Sequence, residues 1–139
     1  MVITKRFEWD MAHRLPNHAG KCRHLHGHRY VAEIDVTGPV LPAGSGSSSG
    51  MVLDFGVIKD FVNVAIGSWD HKLMLWGQDP LASAFMQDVF EDAGVMFVSY
   101  VPTAENIAKE IAELLRLSGL NVTRVRVYET PTGWAEWKI

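Results

Sequence analysis

Histidine and cysteine side chains are concentrated in one short stretch near the beginning of this sequence. Residues 22–28 read Cys-Arg-His-Leu-His-Gly-His, and His13 lies just upstream. Cys22 is the only cysteine among 139 residues. Imidazole and thiolate are the ligands that zinc and similar metals prefer in proteins. The residue types in this stretch therefore favour a metal site.

The spacing of three histidines predicts where such a site forms. His26 and His28 lead into residues 29–36, an alternating run rich in β-branched residues that predicts a strand. Side chains two residues apart on a strand point to the same face, so both imidazoles share one. His13 follows a second strand-like run, residues 2–9, and can pair alongside. Three converging imidazoles favour an open site, since zinc with three protein ligands keeps a position for water or substrate.

A closed structural site remains an alternative, because Cys22, His24, His26 and His28 also alternate along the chain. Four protein ligands are usual for structural zinc. Replacing Cys22 by Ala separates the two cases. Loss of a structural ligand destabilises the fold, whereas loss of a catalytic cysteine leaves the metal and the fold in place.

Length and composition predict a single globular domain over residues 1–139. The apolar fraction of 47% and charged fraction of 21% are ordinary for such a domain. A lone cysteine excludes an internal disulfide. The residues after Met1 carry charges where a secretory signal would need an apolar core. No apolar run reaches the length that a membrane-spanning helix needs. We therefore expect a cytoplasmic protein. The net charge of −3 argues against general nucleic-acid binding, while six Lys and Arg against two acidic residues in positions 1–30 favour an anionic small substrate.

Two helices are predicted with clear boundaries. Asp54 is a candidate N-cap for the first, and Thr103 for the second, which Gly119 ends. Glu105 lies in the first turn of the second helix, where the helix dipole favours a carboxylate. A further helix is expected from Asp79, with an apolar stripe that includes Val89 and Phe90. An extended run over residues 94–100 follows it.

Two further carboxylates can do chemistry. Asp70 and His71 can form a proton-transfer pair only if they lie in an irregular loop, because neighbours on a strand point to opposite faces. Glu129 ends a strictly alternating strand, residues 121–128. Its two oxygens can accept parallel N–H donors from a flat heterocycle.

The element order predicts an α+β domain: two strands, a helical middle and two strands, with helices on one face of a four-stranded antiparallel sheet. Residues 43–50 are rich in Gly and Ser and are expected to form a flexible loop within the domain. Both edges of such a sheet are free, so edge pairing between subunits is expected.

Six landmarks in order resemble the 6-pyruvoyl-tetrahydropterin synthase / 6-carboxy-tetrahydropterin synthase family, and the likeness spans nearly the whole chain. They are A-H-R-L at 12–15, C-x-x-x-H-G-H at 22–28, L-D-F at 53–55, D-H-K at 70–72, P-T-x-E-N at 102–106 and E-T at 129–130. The resemblance implies the tunnelling fold, in which subunits join their sheets into a barrel and commonly form hexamers as two trimers.

The resemblance also implies roles for individual residues. His13, His26 and His28 correspond to the zinc ligands. Cys22 corresponds to the general base, and Asp70 and His71 to its proton-transfer partners. Glu129 corresponds to the anchor of the pterin ring, and Thr103 and Glu105 line the same pocket. The implied substrate is 7,8-dihydroneopterin triphosphate.

Two branches of the family share this apparatus. One stops at 6-pyruvoyl-tetrahydropterin after triphosphate elimination. The other forms 6-carboxy-tetrahydropterin and acetaldehyde on the route to 7-deazaguanine compounds such as queuosine, and the ending E-T-P-T-x-W-A at 129–135 is more similar to it. A non-catalytic, zinc-containing pterin-binding or assembly protein is the remaining alternative.

Overall fold

The structure is a computed structural model that describes residues 1–86 and 94–139. Its strands are β1 Val2–His13, β2 His26–Thr37, β3 Lys72–Trp76, β4 Val95–Val98, β5 Val122–Thr130 and β6 Gly133–Lys138. Its α-helices in the described ranges are α1 Phe55–Ile66, α2 Ala82–Phe85 and α3 Ala104–Leu117.

The strands form a six-stranded sheet in the order β4-β3-β1-β2-β5-β6. The long β1 and β2 pair in antiparallel fashion from Val2↔Thr37 to His13↔His26. On the other side, β1 pairs in parallel with β3, and β3 pairs in parallel with β4. The two longest strands therefore lie at the centre of the sheet. Strand β1 ends at His13, and β2 begins opposite it at His26.

The hydrophobic core lies between the sheet and the helices α1 and α3. Inward-facing side chains of the central strands, such as Tyr30 and Ile34, are fully buried. Helix α3 contributes Ile107, Ile111 and Leu115, which recur at helical spacing and are also fully buried. Burying this stripe orients α3 so that its first turn lies next to the end of β1.

Local sequence signals set the ends of the helices as predicted. The Asp54 side chain accepts a hydrogen bond from the backbone N of Gly56 at the start of α1. Thr103 Oγ1 accepts one from the backbone N of Asn106 at the start of α3. Gly119 follows α3 with φ +96°, a left-handed conformation that favours glycine.

The sheet contains two more strands than the sequence pattern predicted, and it is mixed rather than wholly antiparallel. The unpredicted strand is β3, which follows directly after the Asp70-His71 turn. Only five residues long, it shows no period-two alternation, because both Met74 and Leu75 are buried. The extended run expected over residues 94–100 is β4, which lies at the sheet edge.

Two other expectations meet the structure in part. The helix expected from Asp79 begins at Ala82, and its predicted Val89 and Phe90 stripe lies outside the described residues. The Gly/Ser loop contains a short 3-10 turn, Gly46–Ser48. Hydrogen bonds between Leu41 and Met51 and between Gly50 and Leu41 close the base of that loop.

The face of the sheet opposite the helices carries a charged network. Arg124 makes two hydrogen bonds to the Asp35 carboxylate, at 2.7 and 2.9 Å. Arg126 donates to Glu136 at 2.6 Å. These pairs cross from β2 to β5 and from β5 to β6, so charged side chains link the strands on this face as apolar ones do on the other.

Among the residues that the structure describes, no helix combines the length and the apolar composition that a bilayer crossing requires.

Candidate functional site

Three histidines meet at the end of the central strand pair. His13 lies directly opposite His26 in the β1–β2 register, and His28 lies opposite Met11 on the same face. The ring centroids are 4.6 Å apart for His13 and His26, 5.2 Å for His13 and His28, and 5.0 Å for His26 and His28. One nitrogen from each ring lies within 4.8 Å of the others. The strand pairing therefore places three metal-ligating atoms around one point.

His13 is held in a fixed orientation. Its side chain is 1% exposed, and its Nδ1 lies 2.7 Å from the backbone oxygen of Pro102. That carbonyl can only accept, so Nδ1 carries the proton and Nε2 presents its lone pair. Nε2 is buried and has no hydrogen-bond partner among the described residues. A buried acceptor without a partner is costly, and a cation bound at Nε2 would satisfy it.

Electrostatics favour neutral imidazoles in this cluster. The pKa of His13 is lowered to about 4, mainly by burial. The hydrogen bond to Pro102 opposes this decrease, whereas the neighbouring His26 and His28 contribute to it. Burial, followed by the proximity of His26, also lowers the pKa of His28. Neutral imidazole is the form that binds a metal, so these rings are ready to ligate at neutral pH.

His26 receives its orientation from the adjoining turn. Its Nδ1 lies 2.8 Å from the backbone oxygen of His24. The Nε2 atoms of His13 and His26 are thus the free ones, and both rings follow the usual pattern in which a ligating histidine donates its other N–H to an oxygen. The donor set and its orientation fit a small borderline cation such as Zn²⁺.

The structure does not assemble the closed four-ligand alternative. Within residues 1–86 and 94–139, the cluster around His13 contains neither Cys22 nor His24, and His24 is exposed. Cys22 lies in the 3-10 turn Lys21–Arg23, with its backbone oxygen accepting a hydrogen bond from the N of Leu15. The three-histidine arrangement leaves room for a further ligand.

Tyr30 connects Cys22, Glu129 and the histidines. The Tyr30 ring contacts His13 and His28 edge-on, with centroids 5.7 and 5.5 Å apart. Burial raises the pKa of Tyr30, and the charges of Glu129 and Cys22 raise it further. The Glu129 carboxylate and two of the histidines therefore lie around the same tyrosine.

Glu129 lies at the edge of the histidine cluster. Its Oε1 is 3.7 Å from His13 Nε2 and accepts a long hydrogen bond of 3.5 Å from the Tyr30 hydroxyl. Burial, and then the charge of Glu105, raises the pKa of Glu129. A cavity of about 590 Å³ opens beside it, with His28 among its other lining residues. That volume suits a flat small molecule.

The first turn of α3 adjoins this carboxylate. Glu105 is exposed and acts on Glu129 through its charge. Thr103 Oγ1 accepts the Asn106 N–H at 3.3 Å, which leaves the hydroxyl proton free for a ligand. Thr103 follows Pro102, whose oxygen contacts His13, so the first turn of α3 begins beside the histidine cluster.

Asp70 and His71 lie in the predicted irregular turn and form a group separate from the three histidines, although His71 and His28 line one cavity. His71 has φ +59°, and its Nε2 is 3.7 Å from an Asp70 carboxylate oxygen. Both group with Asp10, whose carboxylate pairs with Arg29. Asp10 alternates with Met11 along β1, so its side chain lies on the sheet face opposite His13.

Sequence reasoning missed two contributors to the site. Tyr30 carries a readable signal, because it follows His28 by two residues on the same strand face. The backbone oxygen of Pro102 carries none, since its contact with His13 joins positions 89 residues apart.

Comparisons with known proteins agree with one family. The sequence model described as 6-pyruvoyl tetrahydropterin synthase matches residues 2–138. The chain is 36% identical to a 6-carboxy-5,6,7,8-tetrahydropterin synthase from Rickettsia bellii, with 96% of each chain covered. It is 33% identical to a protein of the same name from Haemophilus influenzae, with 98% of this chain and 97% of the other covered.

Solved structures share the fold. An uncharacterized protein from Wolinella succinogenes matches with a TM-score of 0.80 at 24% identity, covering 99% of this chain and 97% of the other. A 6-pyruvoyl tetrahydropterin synthase from Caenorhabditis elegans matches with a TM-score of 0.70 at 24% identity, covering 100% and 95%.

Proposed function

The chain belongs to the 6-pyruvoyl tetrahydropterin synthase family of enzymes, and from that membership we propose that it is a zinc-dependent 6-carboxy-5,6,7,8-tetrahydropterin synthase. Its substrate would be 7,8-dihydroneopterin triphosphate, and acetaldehyde and triphosphate would be released. The reaction would serve the synthesis of 7-deazaguanine compounds such as queuosine. The observation that carries the proposal is the three-histidine cluster with Glu129 at its edge.

The histidines would hold the metal through the nitrogens that face one another. When bound, zinc acts as a Lewis acid that acidifies C–H bonds next to the oxygens it polarises. His13 would be the most constrained ligand, because Pro102 fixes its orientation and no described residue forms a hydrogen bond with its Nε2. These residues would therefore offer a preorganised site to the side chain of the substrate.

Cys22 would move the proton. In the described part of the chain it lies outside the ligand cluster, in the turn Lys21–Arg23 that ends three residues before His26. A base in that position would take a proton from the substrate side chain without occupying a metal coordination site.

Glu129 would bind the pterin ring. A carboxylate with two oxygens matches the adjacent N–H donors on the edge of the ring, and partial burial strengthens such charged hydrogen bonds. Thr103, whose hydroxyl proton is free, would line the same pocket, and so would the exposed Glu105. Binding the ring here would direct the substrate side chain towards the histidines.

Asp70 and His71 would serve the site of a neighbouring subunit. Their position beside Asp10 puts them on the sheet face opposite the histidine cluster of their own chain. A role beside Cys22 therefore requires a second copy, in keeping with the expected joining of sheets between subunits. We propose a homo-oligomer, and a hexamer of two trimers remains the expected form.

A metal-dependence assay tests this proposal. Zinc-loaded protein should release triphosphate from the substrate, and removing zinc with a chelator should abolish release until zinc is restored. His26→Ala should lose both zinc and activity, while the control His24→Ala should keep both. A chelated protein that remains active would contradict the metal site.

A further inference from the structure

The tightest contact to the histidine cluster comes from a distant loop. His13 Nδ1 lies 2.7 Å from the oxygen of Pro102, and both residues are buried. His26 differs, because its Nδ1 contacts the backbone only two residues away. The orientation of His13 therefore depends on how the chain before α3 is held.

Asn106 holds that loop. Its side-chain Nδ2 donates to the backbone oxygen of Val101 at 2.9 Å. The same oxygen accepts the backbone N–H of Thr103 at 2.8 Å, which forms a tight turn with Pro102 at its centre. The Asn106 backbone N–H also donates to Thr103 Oγ1. These two hydrogen bonds to Val101 hold the turn, and the Pro102 oxygen at its centre lies 2.7 Å from His13 Nδ1.

We propose that Asn106 is a positioning residue for the metal site, acting through the Val101–Pro102–Thr103 turn on the imidazole of His13. The inference rests on the proposed three-histidine metal site. Within the described residues, Asn106 makes no hydrogen bond to the three histidines or to Glu129. It binds the Val101 oxygen and so acts through the turn on the Pro102 oxygen, which selects the tautomer and the ring angle of His13.

An alternative role is purely structural, since Asn106 lies in the first turn of α3 and its side chain closes the turn. The two roles predict different results for Asn106→Asp. A purely structural role predicts a change in stability alone, because the lost hydrogen bond to Val101 opposes the favourable effect of the helix dipole on a carboxylate, and it predicts normal metal binding by the folded protein. A positioning role predicts weaker metal binding, because a carboxylate cannot donate to Val101 and repels its oxygen.

The test measures zinc affinity by chelator competition and the visible absorption of the cobalt-substituted protein. We expect Asn106→Asp to bind zinc about tenfold more weakly, the lower end of the effect seen when an outer hydrogen-bond partner of a ligand is lost. The cobalt bands should shift as the ligand geometry changes. Asn106→Ala should weaken zinc binding similarly, and it keeps the test usable if the Asp variant folds poorly.

Asn121→Asp is the matched control. Asn121 Nδ2 also donates to a backbone oxygen, that of Thr37, at 3.0 Å, but far from the histidines. Its zinc affinity and cobalt spectrum should equal those of the wild type. Normal zinc affinity in both Asn106 variants would overturn the role proposed for Asn106 and leave the metal site itself unaffected. A wild-type protein that binds no zinc would overturn the metal site and this inference with it.

Discussion

At the scale of single residues, the proposed function assigns metal binding and proton transfer to separate side chains. Three imidazoles face one another, and the only thiol lies outside their cluster in the described part of the chain. His13 and Glu129 approach to 3.7 Å, which is too long for a hydrogen bond and leaves both groups available to other partners. Substitutions can therefore remove one function while the other remains.

Cys22→Ala should lose activity and keep the metal. We expect turnover to fall by about 10²–10⁴-fold, the usual contribution of a positioned general base. Zinc content should stay at the wild-type value, because the thiol is not part of the ligand cluster. Metal analysis and steady-state kinetics on the same preparation check this. Loss of zinc from the variant would restore the closed four-ligand alternative.

Glu129→Gln should weaken pterin binding. The amide keeps the shape of the side chain but replaces one acceptor by a donor, so a charged hydrogen bond worth about 1.5–3 kcal/mol is lost. Affinity for biopterin, measured by fluorescence titration, should fall about 10–100-fold. The control is Glu113→Gln, whose carboxylate pairs with Lys109 along the surface of α3. Equal affinity in both variants would rule out the proposed anchor.

The alternation of side chains along the two strands was enough to predict that the three histidines come together. His26 and His28 share a strand face by their spacing, and His13 ends the strand that pairs with theirs. The contact from Pro102 could not be predicted, because a backbone oxygen has no sequence signal and the two segments are far apart in the chain. The same holds for the approach of Glu129 to His13.

At the scale of elements, hydrogen-bonded charge pairs connect the outer strands. Glu136 on β6 accepts from Arg126 and Arg124 on β5 and from Lys138 on its own strand. These hydrogen bonds, first that of Lys138 and then that of Arg126, lower the pKa of Glu136 from its ordinary value of 4.5 to about 2. The carboxylate therefore stabilises the fold only while it is charged.

Acid should remove this stabilisation over a defined range. Because the folded-state pKa lies below the unfolded one, the contribution is complete above about pH 4.5 and is lost as the pH falls towards 2. Glu136→Gln should lower the free energy of unfolding at pH 7, and its difference from the wild type should shrink by pH 3. Denaturant titrations at pH 7, 5 and 3 measure this. A difference that is independent of pH would contradict the assignment.

The helices and the long strands were predictable because their signals are local. Asp54 and Thr103 cap α1 and α3, and the apolar stripe of α3 faces the core. Strand β3 was not predictable, since burial on both faces removes the alternation and its pairing partner β1 is remote. Because β4 joins the sheet only through β3, missing β3 also left the position of β4 and the parallel edge of the sheet unpredicted.

At the scale of the whole molecule, the two faces of the sheet divide the proposed catalytic groups. The histidine cluster lies on the face that packs against the helices, while Asp70 and His71 lie with Asp10 on the other side. The free edges β4 and β6 are available for pairing with another copy. Under the proposed function, a complete site would therefore combine groups from more than one chain.

Subunit mixing tests this division. Cys22→Ala and His71→Ala should each be inactive alone, and exchange between equal amounts of the two should restore activity, because some sites then receive both intact groups. Random assembly should restore about a quarter of the wild-type activity for sites shared by two subunits. Mixtures made without subunit exchange are the control. No recovery after verified exchange would mean that one chain supplies both groups.

The identity of the product tests the central claim most directly. Zinc-loaded protein should be incubated with 7,8-dihydroneopterin triphosphate, and the pterin formed should be identified by mass spectrometry. The proposed function predicts 6-carboxy-5,6,7,8-tetrahydropterin together with acetaldehyde. A 6-pyruvoyl product would contradict it and assign the chain to the other branch of the family, and unchanged substrate would mean that the fold and the histidine cluster are present without the reaction.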